Sequence, residues 1–279
     1  MSSWLLHPPE LSDRDLAIIV GLVYEKSGIT LHAGKRALVS ARLQKRLRQI
    51  GAGSFRDYVK WVQADGDEMT AMIDAITTNH TAFFREPQHF EVLTEVVLPP
   101  LLKRGGAAPI LGWSSACSTG EEPYTMAMAI LERFGEQVGR YVRLLASDLS
   151  TQAVRRARAG LYKPEKVSDL PRHLLTKYFQ KGSGKAADLW QAGPALAQMI
   201  EFRVSNLLGP APAGPPFDFI FCRNAMIYFD VPVQQRVIEG LEARLAPGGY
   251  LFTSHSESLN SVRHGLSWVA PAVYRRGLR

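Results

Sequence analysis

Residues 109–124 read PILGWSSACSTGEEPY, and this stretch decides the fold. Residues 109–113 form a short apolar run that reads as a buried strand. Ser114, Ser115, Ala116, Ser118 and Gly120 follow; such small residues let a backbone come close to a ligand. Pro123 suits the first turn of a helix, and residues 124–134 continue at helical spacing. Downstream the alternation repeats, with strands expected at 142–146, 200–204, 217–222 and 250–253 and helices at 151–159 and 233–245. Strands alternating with helices imply an α/β domain built on a mostly parallel sheet. Residues 160–198 are too long for a plain crossover and carry Pro164, Pro171, Gly182, Gly184, Gly193 and Pro194, so they are expected to form a small subdomain. Residues 208–216 (LGPAPAGPP) read as a loop.

Upstream the texture differs. Residues 11–75 read as short helices, with apolar stripes Leu16, Ile19, Val20, Val23 and Val39, Leu43, Leu47, Ile50. Gly28, Gly34, Gly51 and Gly53 punctuate them. No internal repeat or low-complexity tract interrupts the 279 residues, and 46% of them are apolar. That composition supports a real core and excludes a disordered or collagen-like chain. Two cysteines, Cys117 and Cys222, imply no disulfide framework and a reducing compartment. No apolar run reaches the roughly 18 residues of a membrane span. Residues 1–15 lack a basic region followed by a long apolar stretch, so no secretory signal is expected. The net charge of +7 permits a nucleic acid, an acidic protein or an anionic membrane surface as partner.

In open α/β sheets ligands bind beyond the carboxyl ends of the strands. Those ends carry the WSSACSTGEEP loop, Asp148 in ASDLS, Ser205-Asn206-Leu207, and Arg223-Asn224. An acidic residue after the second strand accepts hydrogen bonds from ribose hydroxyls in such sheets, although an Asp there also serves as a helix cap. Neither a P-loop nor a GxGxxG is present. A nucleoside pocket without a pyrophosphate loop points to S-adenosylmethionine.

The chain resembles the CheR family, the S-adenosylmethionine-dependent methyltransferases of bacterial chemoreceptors. The resemblance rests on TTNHTAFFRE (77–86), WSSACSTGEEPY (113–124), ASDLS (146–150), VSNLL (204–208), FDFIFCRNAMIYF (217–229) and SHSES (254–258). It implies an all-helical N-terminal domain over 1–76, a linker at 77–95 that contributes to the cofactor site, and a class I methyltransferase domain of Rossmann-like α/β fold over 96–279. A small β-subdomain is inserted at about 160–198. It implies conversion of receptor glutamates to γ-methyl esters for sensory adaptation. The implied cofactor contacts are Asn79, Thr81, Arg85, Glu121 or Glu122, Asp148, Asn206, Leu207, Arg223 and Asn224. Arg85 and Tyr228 match positions beside the reacting carboxylate, and S-adenosylhomocysteine is the implied product. The loop after the first strand lacks the GxGxG of most class I methyltransferases, as is usual in this family.

A substrate glutamate has a reference pKa of about 4.3 and is ionised at neutral pH, so methyl transfer needs no general base. Alignment and desolvation are then the expected sources of rate, with Arg85 and Tyr228 as positioning groups. Ser254, His255, Ser256 and Glu257 are adjacent, but triad members come from separate elements, so no hydrolase is read. His7, His32, His80, His89, His173 and His264 show no paired ligand spacing with Cys or Asp, and no metal is expected.

Residues 35–50 hold six basic residues and no acidic one. Arg42, Lys45 and Arg48 lie roughly opposite the apolar stripe, and the resemblance makes this face a dock for an acidic receptor helix. Residues 179–190 (FQKGSGKAADLW) resemble the loop with which some family members capture a receptor's C-terminal pentapeptide by strand addition. The implied protein is a cytoplasmic monomer recruited to membrane receptor arrays, with no nucleic-acid partner and no membrane insertion. Two rivals remain. A nucleic-acid methyltransferase acting on amino groups would carry an Asn/Asp-Pro-Pro-Tyr/Phe motif, where this chain has RNAMIYF. A non-catalytic S-adenosylmethionine-binding regulatory module would have no need of Arg85 and Tyr228.

Overall fold

The computed structural model describes residues 9–104 and 108–278. Residues 1–8 of the stretch read for a leader, with His7, lie outside the described residues. The chain divides into two units. One comprises the chain up to Thr78 together with Tyr228–Asp230; the other comprises Asn79–Ile227 and Val231–Arg279. The linker from Asn79 onward thus groups with the second unit, and three residues from far downstream group with the first.

Among the described residues the first unit holds four α-helices, α1 (Asp13–Ser27), α2 (Arg36–Ile50), α3 (Phe55–Ala64) and α4 (Gly66–Ile76). Each start or stop has a local cause. The Ser12 and Ser54 hydroxyls accept from the Asp15 and Asp57 amides, and Asp65 accepts from Asp67 and Glu68. Gly28 and Gly51 close α1 and α2 in the left-handed region, at φ 73° in both cases. Ile19, Val23, Val39, Leu43, Leu47, Tyr58 and Met72 are buried without exposure, and each aliphatic side chain so placed contributes about 1.5–3 kcal/mol. Arg46 binds Glu68 with two bonds, Nε–Oε1 at 2.8 Å and Nη2–Oε2 at 2.5 Å, tying α2 to α4. The downstream insert adds an antiparallel bridge between Ile29 and Phe229. It also adds a bond from the Thr30 amide to the Tyr228 carbonyl at 2.8 Å, and one from the Tyr24 hydroxyl to Asp230 at 2.9 Å.

The second unit starts with the helical turns α5 (Gln88–Val92) and α6 (Leu98–Lys103), joined by a π turn at Leu93–Val97. Then come β1 (Ile110–Ser114), α7 (Glu121–Phe134), β2 (Val142–Asp148) and α8 (Thr151–Ala159). The insertion follows: β3 (Leu161–Tyr162), α9 (Pro164–Val167), α10 (Arg172–Tyr178), β4 (Phe179–Lys181), β5 (Trp190–Ala192) and α11 (Pro194–Ala197). The chain ends with β6 (Ile200–Val204), β7 (Phe217–Phe221), α12 (Val231–Arg244), β8 (Leu245–Phe252), β9 (Leu266–Ala270) and β10 (Val273–Arg276). The main sheet has strand order β6-β2-β1-β7-β8-β10-β9. The first five strands are parallel, and β10 and β9 are antiparallel. A separate antiparallel sheet, β3-β5-β4, occupies the insertion. This is the class I methyltransferase α/β fold with its small β-subdomain.

The sheet core stacks Phe221 on Phe252 with ring centres 4.2 Å apart, and Phe219 and Phe221 have no exposure. Gly112 in β1 is required by this packing, since a Cβ there would lie 2.3 Å from the Phe219 ring. The strand order reverses between β1 and β7: after β1 the chain runs outward through β2 to β6 and returns to β7 on the other side. That reversal opens a crevice at the carboxyl ends of β1 and β7, the usual ligand position in such sheets.

Candidate functional site

Every segment singled out at the strand ends in the sequence converges on this crevice. The Ser115 amide and hydroxyl both donate to the Phe221 carbonyl, at 2.8 and 3.0 Å, so the loop after β1 is sewn to the end of β7. The Cys117 amide reaches the Ser147 carbonyl at 2.8 Å, sewing it to β2. Asp148 holds the same loop, with Oδ2 accepting from the Ser118 amide at 2.8 Å and Oδ1 from the Ser150 amide at 2.9 Å. Ser118 sits at φ 49° and Gly120 at φ 99°. A Cβ on Gly120 would lie 2.9 Å from the Tyr162 hydroxyl, so only glycine allows this approach. The Ser205 amide donates to the Asp148 carbonyl at 3.0 Å and brings the Asn206-Leu207 turn alongside.

The two adjacent carboxylates that open α7 do different things. Glu122 accepts from the Ser114 hydroxyl at 2.7 Å and from Arg223 Nη1 at 2.9 Å. Burial pushes its carboxyl above the usual range, against the opposing pull of Arg223 and Ser114. Glu121 accepts from the Thr119 hydroxyl at 2.6 Å through Oε2. Its Oε1 is buried with no hydrogen bond, and Lys166 Nζ lies 3.5 Å away.

Arg223 is the hub. Its side chain, 2% exposed, binds Glu122, binds Glu86 at 3.1 Å and donates to the Arg85 carbonyl. It also lies over the Phe90 ring at 5.6 Å. One guanidinium therefore joins the linker, the start of α7 and the end of β7. Arg85, the residue so held, lies between Phe84 at φ 52° and Glu86 at φ 56°, two left-handed residues that are neither Gly nor Asn. Strained backbone of this kind clusters at functional sites. Arg85 Nη1 donates to the His80 carbonyl at 3.0 Å, which sets the direction of the guanidinium. The linker is anchored by Phe83, packed edge-on against Tyr162 and Phe179 of the insertion, and by the Phe84 amide donating to Thr125 Oγ1 at 3.2 Å. Lys166 of α9 donates to the Thr81 carbonyl at 3.2 Å, and Asn79 and Thr81 are half-buried beside it in the sequence.

Sequence reasoning missed Glu257. It is 5% exposed, and its carboxylate accepts from the amides of Asn224 (2.8 Å), Ser254 (3.0 Å) and Ile227 (3.2 Å). It holds Asn224 at φ 57°, immediately after Arg223. The SHSES run is therefore a brace for the loop after β7. Its Ser254 hydroxyl is paired with Ser256 at 2.8 Å. Only the alternation of small polar residues around one acid hinted at this.

Four expected residues belong to the helical unit. Arg42 is half-buried and donates to the carbonyls of Ile76 and Thr77, closing the end of α4, so it has a structural duty that the helical wheel did not reveal. Lys45 and Arg48 are exposed on the same helix. Tyr228 groups with this unit through its carbonyl. Cys117 and Cys222 are fully buried, and burial pushes the Cys222 thiol up to about 12 and Cys117 also well above its usual value.

The residues at the crevice fit S-adenosylmethionine. Ser118 Oγ, Glu121 Oε1 and Arg223 Nε are buried without hydrogen-bond partners. A nucleoside carrying hydroxyls, an ammonium and a carboxylate would satisfy donors and acceptors of this mix. A groove of about 320 Å³ lined by Leu111, Arg143, Met199, Arg203 and Phe217 lies at the starts of the strands, away from these groups.

Two family models cover the chain. CheR methyltransferase, SAM binding domain, matches residues 79–273. CheR methyltransferase, all-alpha domain, matches residues 14–77. Among curated proteins, the chain is 40% identical over 267 residues to a chemotaxis protein methyltransferase of Klebsiella aerogenes, covering 95% of this chain and 90% of that one. It is 38% identical over 267 residues to the chemotaxis protein methyltransferase of Escherichia coli, covering 95% and 91%. It is 39% identical over 254 residues to chemotaxis protein methyltransferase 2 of Pseudomonas aeruginosa, covering 90% and 89%.

Proposed function

We propose for this chain, which belongs to the CheR methyltransferase family, the methylation of glutamate side chains on the cytoplasmic helical domain of chemoreceptors, giving γ-methyl esters. The enzyme is an S-adenosylmethionine-dependent methyltransferase of chemotaxis. Among the described residues no helix is long and apolar enough to cross a membrane.

The observation that carries the reading is the Arg223 hub, which fixes Arg85 at the same crevice as the cofactor-matching groups. Bound S-adenosylmethionine supplies a methyl group activated by a sulfonium centre. Asn79, Thr81, Asp148, Asn206, Leu207 and Asn224 would hold it, together with Glu121, whose Oε1 makes no hydrogen bond and faces Lys166 at 3.5 Å, while Glu122 is committed to Ser114 and Arg223. Arg223 acts through its neighbours as a positioning residue. A substrate glutamate, with a reference pKa of about 4.3, arrives ionised, so no residue of the chain takes a proton from it. Arg85 and Tyr228 orient the attacking oxygen, and modest bonds serve better than strong ones because a tightly bound oxygen is a poorer nucleophile.

The receptor docks on the basic face of α2 through Lys45 and Arg48, with Arg42 sharing the charge. In the β-subdomain, β4 pairs with β5 alone among the described strands, which leaves an edge suited to a receptor C-terminal peptide. The protein works as a cytoplasmic monomer recruited to receptor arrays. The test is transfer of labelled methyl from S-adenosylmethionine to chemoreceptor-bearing membranes, followed by mild alkali. Base-labile label on receptor bands, lost in Arg85→Ala, is the expected result. Alkali-stable label, or label on nucleic acid, would overturn it.

A further inference from the structure

Beside the Arg223 hub, Glu86, His89 and His255 each offer one ligand atom, and the three atoms lie within 4.8 Å of one another. We infer that these side chains form a binding site for a divalent d-block cation of the zinc class, next to the Arg223 hub and independent of the substrate reading.

Three observations carry this. First, the donors have the right chemistry: two imidazole nitrogens and one carboxylate oxygen suit zinc, and three protein ligands leave a fourth position for water. Second, His89 is 1% exposed, yet neither ring nitrogen makes a hydrogen bond, an uncommon state for a buried polar side chain. Its Nδ1 faces Glu86 Oε2 at 3.4 Å, and its ring faces that of His255 with centres 4.9 Å apart. Third, the local charge allows a dication. Arg223 is matched by two carboxylates, Glu86 at 3.1 Å and Glu122 at 2.9 Å, which leaves one negative charge in excess.

A tetrahedral ion with ligands at about 2.0–2.1 Å holds its donors roughly 3.3 Å apart. His255 is exposed and can swing inward to meet that spacing. The expectation that the histidines hold no metal came from spacing along the chain, and His255, which completes the group, comes from the loop after β8. An ion here would tie the start of α5 to the loop whose Glu257 braces Asn224.

The experiment uses the full chain without a histidine tag, stripped of metal and titrated with Zn²⁺ by calorimetry and with Co²⁺ by absorption. The expected result is one ion per chain, bound more tightly than about 100 μM, with the intense visible band of four-coordinate cobalt. His255→Ala, at an exposed position, weakens binding more than tenfold, and Glu86→Gln weakens it as well, while His80→Ala leaves it unchanged. Circular dichroism establishes that each variant is folded. Absence of binding at 1 mM Zn²⁺, or binding that His255→Ala and Glu86→Gln leave within twofold, overturns the proposal.

Discussion

Arg46 and Arg223 make the same kind of contact in the two units, and comparing them separates holding a fold from holding a site. Arg46 grips one carboxylate, Glu68, with both its partners on neighbouring helices of one small bundle, and its side chain is 29% exposed. Arg223 is 2% exposed and is shared between two carboxylates and a carbonyl on two separate segments. The first pair joins elements that already pack together through Leu43, Leu47 and Met72. The second joins the linker, the start of α7 and the end of β7 at the mouth of the crevice, beside the packing of Phe90 on Phe221. Burying an arginine costs several kcal/mol, and cost at a crevice needs a return other than stability.

Substitutions can break this contrast. Arg223→Met strands Glu86 and Glu122 without a counter-charge, and loss of one partner of a buried pair costs about 3–5 kcal/mol. Urea unfolding should show that loss, and calorimetry should show S-adenosylmethionine affinity down more than about 100-fold. Glu257→Gln keeps the size but weakens three amide bonds to the loop after β7. It should lower kcat by roughly ten- to a hundredfold for about 1–3 kcal/mol of stability, the worth of charge-assisted bonds. Arg46→Met should lower stability by about 1–3 kcal/mol, discounted for its solvent exposure, and leave S-adenosylmethionine affinity within twofold. If Arg46→Met damages cofactor affinity as Arg223→Met does, the contrast fails. Lys45→Ala with Arg48→Ala should raise KM for receptor a few-fold at low salt, less at high salt, with kcat and cofactor affinity unchanged. Arg42 is left out of that pair because its bonds to Ile76 and Thr77 would confound the result. The smallest effect is a chemical one. Neither thiol should react with a disulfide reagent at pH 8 in the folded protein, since burial disfavours both thiolates, and two should react in denaturant.

The parts of the fold that could be read from sequence are short segments rich in apolar residues. The starts and ends expected for β1, β2, β6 and β7 fall within a residue or two of those observed. β7 is buried throughout, whereas β6 at the sheet edge alternates buried Ile200 and Phe202 with exposed Glu201 and Arg203. The hairpin β9–β10 went unread. Trp268 is 66% exposed and Arg275 and Arg276 lie in the partner strand, so no apolar run marks an edge of this kind. Only the tail of β8 was expected, since Pro247, Gly248 and Gly249 hide its first half. The strands of the insertion are two or three residues long, too short for any period to show, although the Pro/Gly-rich length of 160–198 flagged a subdomain. The cofactor-matching residues stood out because small and acidic residues follow apolar strands. The Glu86–His89–His255 group and the Glu257 brace could not stand out, since each depends on a fold-made contact between distant segments. Arg223 was marked as a site residue, but its partnership with Glu86 and Glu122 is visible only in three dimensions.

The bridge from Ile29 to Phe229 and the bond from Tyr24 to Asp230 have a meaning in time as well as in space. Synthesis delivers the four helices first and the residues that complete their unit about 150 residues later. At about 5–20 residues per second the helical bundle waits roughly 8–30 s on the ribosome with the Tyr228–Asp230 segment missing. Ile29 and the Thr30 amide stay unpaired for that interval. A gene fragment ending at Thr78 encodes α1 to α4 but not the finished form of their unit, so the helical portion is separable in sequence and not in assembly.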